Sequence, residues 1–265
     1  PDVVRFGEAV SAHTDFDRFR SPSVVPDWAK EDRDEGHDGW LMLALTGHSD
    51  APVPVILDSP DGETWSVLGK LSFNGDPGFN EDEVPATSPI PPVVSPRLVR
   101  LRDEVDEEIY DVLFVTLERA GRDVSGYIVG RLDGTEFTVS KGFQLVDFGH
   151  DFSRPRNTNT TTGTIPQEHR YDRAVILGLL NGNGRGDDAT KHPTWEAEGW
   201  ANSLSLPRAV TLQGGVLYQT PAQGLPDAVK LSDYAQSWTG VLEVPEGSSV
   251  SVRLLDGSGD PAAVI

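Results

Sequence analysis

The chain has no cysteine in its 265 residues. Disulfides and thiolate metal sites are therefore excluded. Nor is there a run of about 18 apolar residues, the length that a membrane-spanning helix needs. Positive charge is scarce: 22 Lys and Arg stand against 42 Asp and Glu, a formal net charge of −20. Such a surface repels nucleic acid and anionic membranes, and it suits a neutral substrate such as a sugar. The six histidines (His13, His37, His48, His150, His169 and His192) show no metal-ligand spacing. A glycine-rich phosphate loop is missing, and so is a serine nucleophile elbow. No cofactor and no metal are expected, and the oligomeric state is left open. Helical periodicity is nowhere convincing. The chain starts at Pro1 with neither a Met nor a leader-like apolar stretch. The expectation is a partial chain of cytoplasmic location, with secretion left open.

What is present is the material of an all-β protein. Gly (27) and Pro (20) are abundant, so turns are many, and 37% hydrophobic residues suffice for a core. Strands are predicted near residues 3–12, at 40–46, 53–57, 98–101 and 109–117, and again at 127–129, 137–139 and 173–180. The strongest is Ile109-Tyr110-Asp111-Val112-Leu113-Phe114-Val115-Thr116-Leu117. Residues 26–39 are almost all polar and read as a solvated insertion. Residues 75–96 are rich in Pro and acid and read as a long crossing loop. Two hairpins share one form: Ser59-Pro60-Asp61-Gly62-Glu63-Thr64-Trp65 and Arg131-Leu132-Asp133-Gly134-Thr135-Glu136-Phe137. Each is strand, Asp-Gly turn, aromatic, strand, because Asp-Gly supplies the left-handed backbone of a tight hairpin. Two copies suggest repeated β-meanders, as in propeller blades, with a sandwich as the alternative. Short strands at 216–218, 239–244 and 249–255 read as the opening of a second, sandwich-like module.

Two stretches stand out from this background. In Val146-Asp147-Phe148-Gly149-His150-Asp151-Phe152 a strand ends and Gly149 permits a tight turn. Asp147, His150 and Asp151 then project beyond the strand end, where loops carry function. About fifty residues on comes Gly199-Trp200-Ala201-Asn202-Ser203-Leu204-Ser205-Leu206-Pro207-Arg208. Trp195 and Trp200 could stack on a sugar face or pack in a core. Residues 181–188 alternate oxygen-bearing side chains as a calcium loop does, but His192 stands where an EF-hand needs Glu, so a plain hairpin loop is the better reading.

Taken in order, these stretches resemble glycoside hydrolase family 32, the invertase, levanase and sucrose-6-phosphate hydrolase family. Asp147-Phe148-Gly149-His150-Asp151-Phe152 is similar to its Asp-aromatic-Gly-x-Asp-Phe segment, and Gly199-Trp200 with Leu206-Pro207-Arg208 to its Gly-Trp and Leu-Pro-Arg strand. Leu217-Tyr218-Gln219-Thr220-Pro221, Val129-Gly130-Arg131-Leu132-Asp133-Gly134 and Asp58-Ser59-Pro60-Asp61 with Trp65 resemble further family segments. The resemblance implies a five-bladed β-propeller, incomplete at its N-terminus, over residues 1–212. The linker and the beginning of a β-sandwich would follow over 213–265.

It also implies a fructoside ligand and a retaining mechanism, in which two carboxyls flank the scissile bond. In the family these are an Asp nucleophile and a Glu acid/base, with a second Asp in an Arg-Asp-Pro motif stabilising the transition state. Here the Arg-Asp-Pro position matches Arg20-Ser21-Pro22, so Ser21 replaces the Asp. The acid/base position matches Val94-Ser95-Pro96, so Val94 replaces the Glu. Valine transfers no proton, and loss of general acid catalysis typically costs about 10²–10⁴-fold. The nucleophile motif is not found. Glu81, Asp82 or Glu83 could supply a carboxylate if their loop folds inward. Arg20, Asp147, His150, Asp151, Trp195 and Trp200 are the expected substrate-binding residues. Two functions remain: hydrolysis of O-glycosyl bonds in β-fructosides, or a catalytically inactive propeller that binds sugar or regulates a partner.

Overall fold

The computed structural model describes residues 18–27, 39–48, 51–79, 93–119, 122–149, 151–159, 169–180, 188–231 and 243–264. The chain is all-β and divides into two compact units, 1–223 and 224–265. The first holds three four-stranded antiparallel meanders. One is β1 (Arg20–Pro26), β2 (Trp40–Thr46), β3 (Val53–Ser59) and β4 (Ser66–Lys70). After the short β5 (Ser72–Asn74) comes the second: β6 (Val93–Arg102), β7 (Ile109–Arg119), β8 (Arg122–Asp133) and β9 (Glu136–Leu145). β5 joins it as an added parallel strand beside β9. The third is β10 (Phe152–Asn159), β11 (Ala174–Leu180), β13 (Arg208–Gln213) and β14 (Val216–Pro221), with β12 (Ser203–Leu204) paired to the end of β11. The sequence places the domain boundary after residue 212. The two compact units divide between residues 223 and 224, and β13 and β14 pair residue for residue within the first, from Arg208 with Pro221 to Gln213 with Val216.

Each meander turns from its third to its fourth strand on glycine at positive φ. Gly62 (φ 76°) does so in the first, Gly134 (φ 56°) in the second, and Gly214 and Gly215 (φ 60° and 76°) in the third. In the first turn Ser59 Oγ accepts from Gly62 N at 2.8 Å, and Asp61 Oδ1 accepts from Glu63 N and Thr64 N, both at 2.8 Å. Trp65 closes it, buried, with Nε1 donating to Gly62 O. The repeat seen twice in the sequence thus occurs three times; the third copy lacks the Asp and the aromatic that made the others visible.

The second sheet is buried on both faces. Side chains alternate across a strand, so Val112 and Phe114 of β7 pack with Phe152, Ile176 and Val210 of the third sheet. Leu113, Val115 and Leu117 pack with Val25, Leu43 and Ile56 of the first. This two-sided burial is why 109–117, with Asp111 and Thr116 as exceptions, reads as a mostly apolar run rather than an alternating one. The first sheet's other face carries a smaller cluster of Ala44, Val55, Leu57 and Trp65.

The structure corrects several expectations. The loop ascribed to 75–96 ends earlier, since β6 begins at Val93. Pro96 is accommodated there because it sits in a bulge, where no ladder N–H is needed. The polar residues 157–159 belong to β10. Two short helices occur, α1 (Pro193–Glu198) and α2 (Leu225–Lys230). They escape periodicity because one and a half turns define no face. No helix among the described residues is long and apolar enough to cross a membrane. In the second unit β15 (Arg253–Leu255) and β16 (Pro261–Val264) form a hairpin.

Candidate functional site

The first strand of every meander breaks its register at the same place. The shift falls between Arg20 and Ser23 in β1, between Val94 and Arg97 in β6, and between Ser153 and Arg156 in β10. At each shift a non-glycine residue with positive φ precedes a proline: Ser21 (φ 53°), Ser95 (φ 55°) and Arg154 (φ 45°). Such backbone costs on the order of 1–3 kcal/mol per residue and persists where surrounding structure holds it. A β-bulge re-aims side chains, and here three are aligned across adjacent sheets.

Hydrogen bonds tie the bulges in series. Arg97 Nη1 donates to Ser21 O at 3.0 Å and to Pro96 O at 2.6 Å. Its counterpart two positions past the next bulge, Arg156, donates from Nη1 to Ser95 Oγ at 2.7 Å and to Arg154 O at 3.3 Å. Arg154 N donates to Ser125 Oγ, which in turn lies 2.8 Å from Thr116 Oγ1. Arg154 Nε pairs with Asp123 Oδ2 at 2.6 Å. Asn157 spans the same gap, with Nδ2 on Leu98 O at 2.9 Å, while its buried Oδ1 has no donor. Burial, and then the charge of Arg156, push the Arg97 guanidinium down to about 10, so it is still protonated at neutral pH. Burial and then Arg154 lower Arg156 likewise.

Ser21 and Val94, the two sequence-predicted catalytic positions, therefore lie on adjoining first strands at matching bulges. Ser21 is the bulge residue itself; Val94, half-buried, comes one place before the next bulge residue, Ser95. Arg20 turns away to the loop after β2, where Nη1 donates to Gly47 O at 2.6 Å and Nη2 to His48 O at 3.0 Å. Asp147 lies in the connection from β9 to β10. Its Oδ1 accepts from Gly149 N at 2.7 Å, and its Oδ2 pairs with Arg208 Nη1 at 2.6 Å. The Arg208 guanidinium stacks 4.3 Å from the Phe152 ring centre. Gly149 does not use positive φ. A Cβ there would lie 2.8 Å from Asp147 Oδ1, so the Asp147 side chain would have to shift. Asp151 directly precedes β10, and His150 lies outside the described residues, as do Glu81, Asp82 and Glu83.

Trp195 and Trp200 are 42% and 41% exposed. Trp200 follows α1, outside the core clusters. Its Nε1 donates to Glu198 Oε2 at 2.5 Å, and its ring lies 5.8 Å from that of His192. The sequence reading missed Arg97, Arg154, Arg156 and Asp123. The signal for three of them was present: Ser21-Pro22-Ser23, Ser95-Pro96-Arg97 and Arg154-Pro155-Arg156 form a recurring residue-Pro-residue pattern.

Strands of the first and second sheets line a cavity of about 260 Å³ with Asp27, Asp58, Asp111, Asp133, Arg100 and apolar neighbours. Burial pushes the Asp111 carboxyl up, against the pull of Arg100 at 3.2 Å and of Leu132 N at 2.8 Å. Among the described residues no group of three His, Cys, Asp or Glu is placed to hold a metal ion.

Residues 8–221 match the model of the family described as glycosyl hydrolases family 32 N-terminal domain. The sucrose-6-phosphate hydrolase of Bacillus subtilis (strain 168) is 27% identical over 235 residues, 83% of this chain and 40% of that protein. The chain spans less than half the length of the curated relatives it matches. Among solved structures, the exo-inulinase from Aspergillus awamori superposes with a TM-score of 0.57 at 20% identity, over 89% of this chain and 42% of that one. The fructofuranosidase from Schwanniomyces occidentalis, complexed with fructose, gives 0.53 at 18% identity, over 79% and 36%. At these identities the likeness is one of fold. The family match covers most of the chain, and the chain belongs to glycosyl hydrolase family 32.

Proposed function

We propose that the three meanders are blades of a five-bladed propeller, that a β-sandwich begins in the second unit, and that the row of bulges is the sugar pocket of a protein descended from β-fructoside hydrolases. In this chain the pocket binds its sugar without ordinary hydrolysis. Three sheets of identical up-and-down order, and neighbours that are five-bladed propellers, support the architecture. The fructose bound to the Schwanniomyces occidentalis neighbour supports a fructoside-type ligand. The observation that carries the functional reading is the composition of the row. At residues 20–22, 94–96 and 153–155 it presents hydroxyl, guanidinium and apolar side chains, and no carboxyl. Hydroxyls and guanidinium groups hold sugar hydroxyls by hydrogen bonds. Neither can protonate a leaving oxygen near neutral pH or carry a covalent glycosyl intermediate as a carboxyl does. Asp147, Asp151 and the half-exposed Trp195 and Trp200 are proposed to edge the pocket.

The test is fructose release from sucrose, inulin and levan by the complete natural chain at high protein concentration. No release above background is expected, with sucrose or fructose binding still measurable. Ser21→Asp combined with Val94→Glu restores the two acidic groups and is expected to yield detectable release. Turnover by the unaltered chain would sink the non-hydrolytic reading and point to a carboxylate elsewhere. A folded but inert double variant would sink the assignment of Ser21 and Val94.

A further inference from the structure

We infer that Arg208 and Gln219 are positioning residues of the pocket edge: together they fix the direction in which Asp147 presents its carboxylate to a sugar. The inference rests on the reading of the bulge row as a sugar pocket with Asp147 at its edge, and it names what holds that edge in place. Ser125 of β8 joins the connection that carries Asp147 to the row. Its main-chain oxygen accepts from Val146 N at 3.2 Å, and its Oγ accepts from the N–H of the third bulge residue, Arg154, at 2.9 Å. Asp147 thus stands one residue from a main-chain group held by the same serine as the bulge.

The third sheet closes a ring on this connection. Arg208 Nη1 donates to Asp147 Oδ2 at 2.6 Å and to Gln219 Oε1 at 3.1 Å. Gln219 Nε2 donates to Val146 O at 2.6 Å, and one peptide bond leads back to Asp147. The side chains of Arg208 and Asp147 are 29% and 17% exposed, and the guanidinium lies over the Phe152 ring. Gly149 N takes the other oxygen, Oδ1, at 2.7 Å. One fixed donor on each oxygen sets the rotation of the carboxylate. A carboxylate accepts at about four positions, so both oxygens keep capacity for a sugar hydroxyl. A side chain ordered before the ligand arrives spares binding the cost of ordering it. The fold has other ties along the same seam. Tyr127 OH accepts from Leu217 N at 3.0 Å, and Gln144 Nε2 donates to Gly215 O at 3.1 Å. These join the second sheet to the β13–β14 hairpin without Arg208, so variants at Arg208 are expected to fold.

Isothermal titration of the complete natural chain with sucrose and with fructose tests this. The variants are Asp147→Asn, Arg208→Gln, Arg208→Lys and the pair Asp147→Asn with Arg208→Gln, each checked for a cooperative thermal transition. Arg208→Gln is expected to weaken sugar binding by roughly tenfold. Arg208→Lys keeps a cation beside Asp147 and should recover part of that loss. Because Arg208 acts through Asp147, Arg208→Gln should weaken binding no further in the Asp147→Asn background. Losses that simply add in the double variant would show that Arg208 acts on its own. Unchanged affinity in Arg208→Gln would show that Asp147 needs no holding. Either result overturns the inference and leaves the sugar pocket standing. Absence of sugar binding by the unaltered chain would overturn the pocket reading, and the inference with it.

Discussion

Asp103 shows how one side chain can hold distant turns together. It is 2% exposed at the end of β6 and accepts from Val105 N at 2.9 Å, Gly214 N at 2.8 Å and Gly215 N at 2.6 Å. Burial by itself would raise its carboxyl. The three N–H groups outweigh that and hold it below the ordinary value. A depressed folded value means that its contribution is fully present above the unfolded value, about 3.9, and is lost as pH falls through the folded value. Asp103→Asn should therefore cost about 1–3 kcal/mol at pH 7. The gap between the two proteins should close below pH 4, as read from urea melts at both pH values. An equal gap at pH 7 and pH 3 would show that the charge contributes nothing. The role was not legible beforehand, because two of the three partners, Gly214 and Gly215, lie more than 100 residues away and all three are backbone groups.

At the scale of elements, β8 carries the tightest packing. A Cβ on Gly126 would run into the main-chain oxygen of Gln144 and the ring of Phe143, and one on Gly130 into the main-chain oxygen of Thr138 and the ring of Phe137. Both rings close the cluster between the first and second sheets. Gly126→Ala should therefore destabilise by about 1–3 kcal/mol through overpacking. The companion change Phe143→Leu should recover part of that loss in thermal melts. Failure of Phe143→Leu to rescue any of it would show that the main-chain oxygen of Gln144 carries the whole clash. β7 was evident from its apolar run, because burial on both faces writes itself into local composition. β10 was not. Its Arg156 and Asn157 spend their polar groups on β6, so a core-lining strand carries the composition of a loop.

Among the described residues, the three core clusters lie between Val25 and Leu217, inside the first compact unit. A chain ending at Gln223 is expected to keep its β-type circular dichroism and a cooperative thermal transition. Loss of cooperativity on that truncation would show that the core is completed by residues beyond 223. Family membership, the all-β class and the repeated Asp-Gly hairpins were determined by the sequence alone. Alternation and turn chemistry act within about ten residues, where the chain itself states the outcome. Which arginine meets which bulge was decided only by the tertiary structure. Arg97 reaches Ser21 across 76 residues, and Arg156 reaches Ser95 across 61. No local pattern specifies such a pairing; only the stacking of sheets brings the first strands side by side.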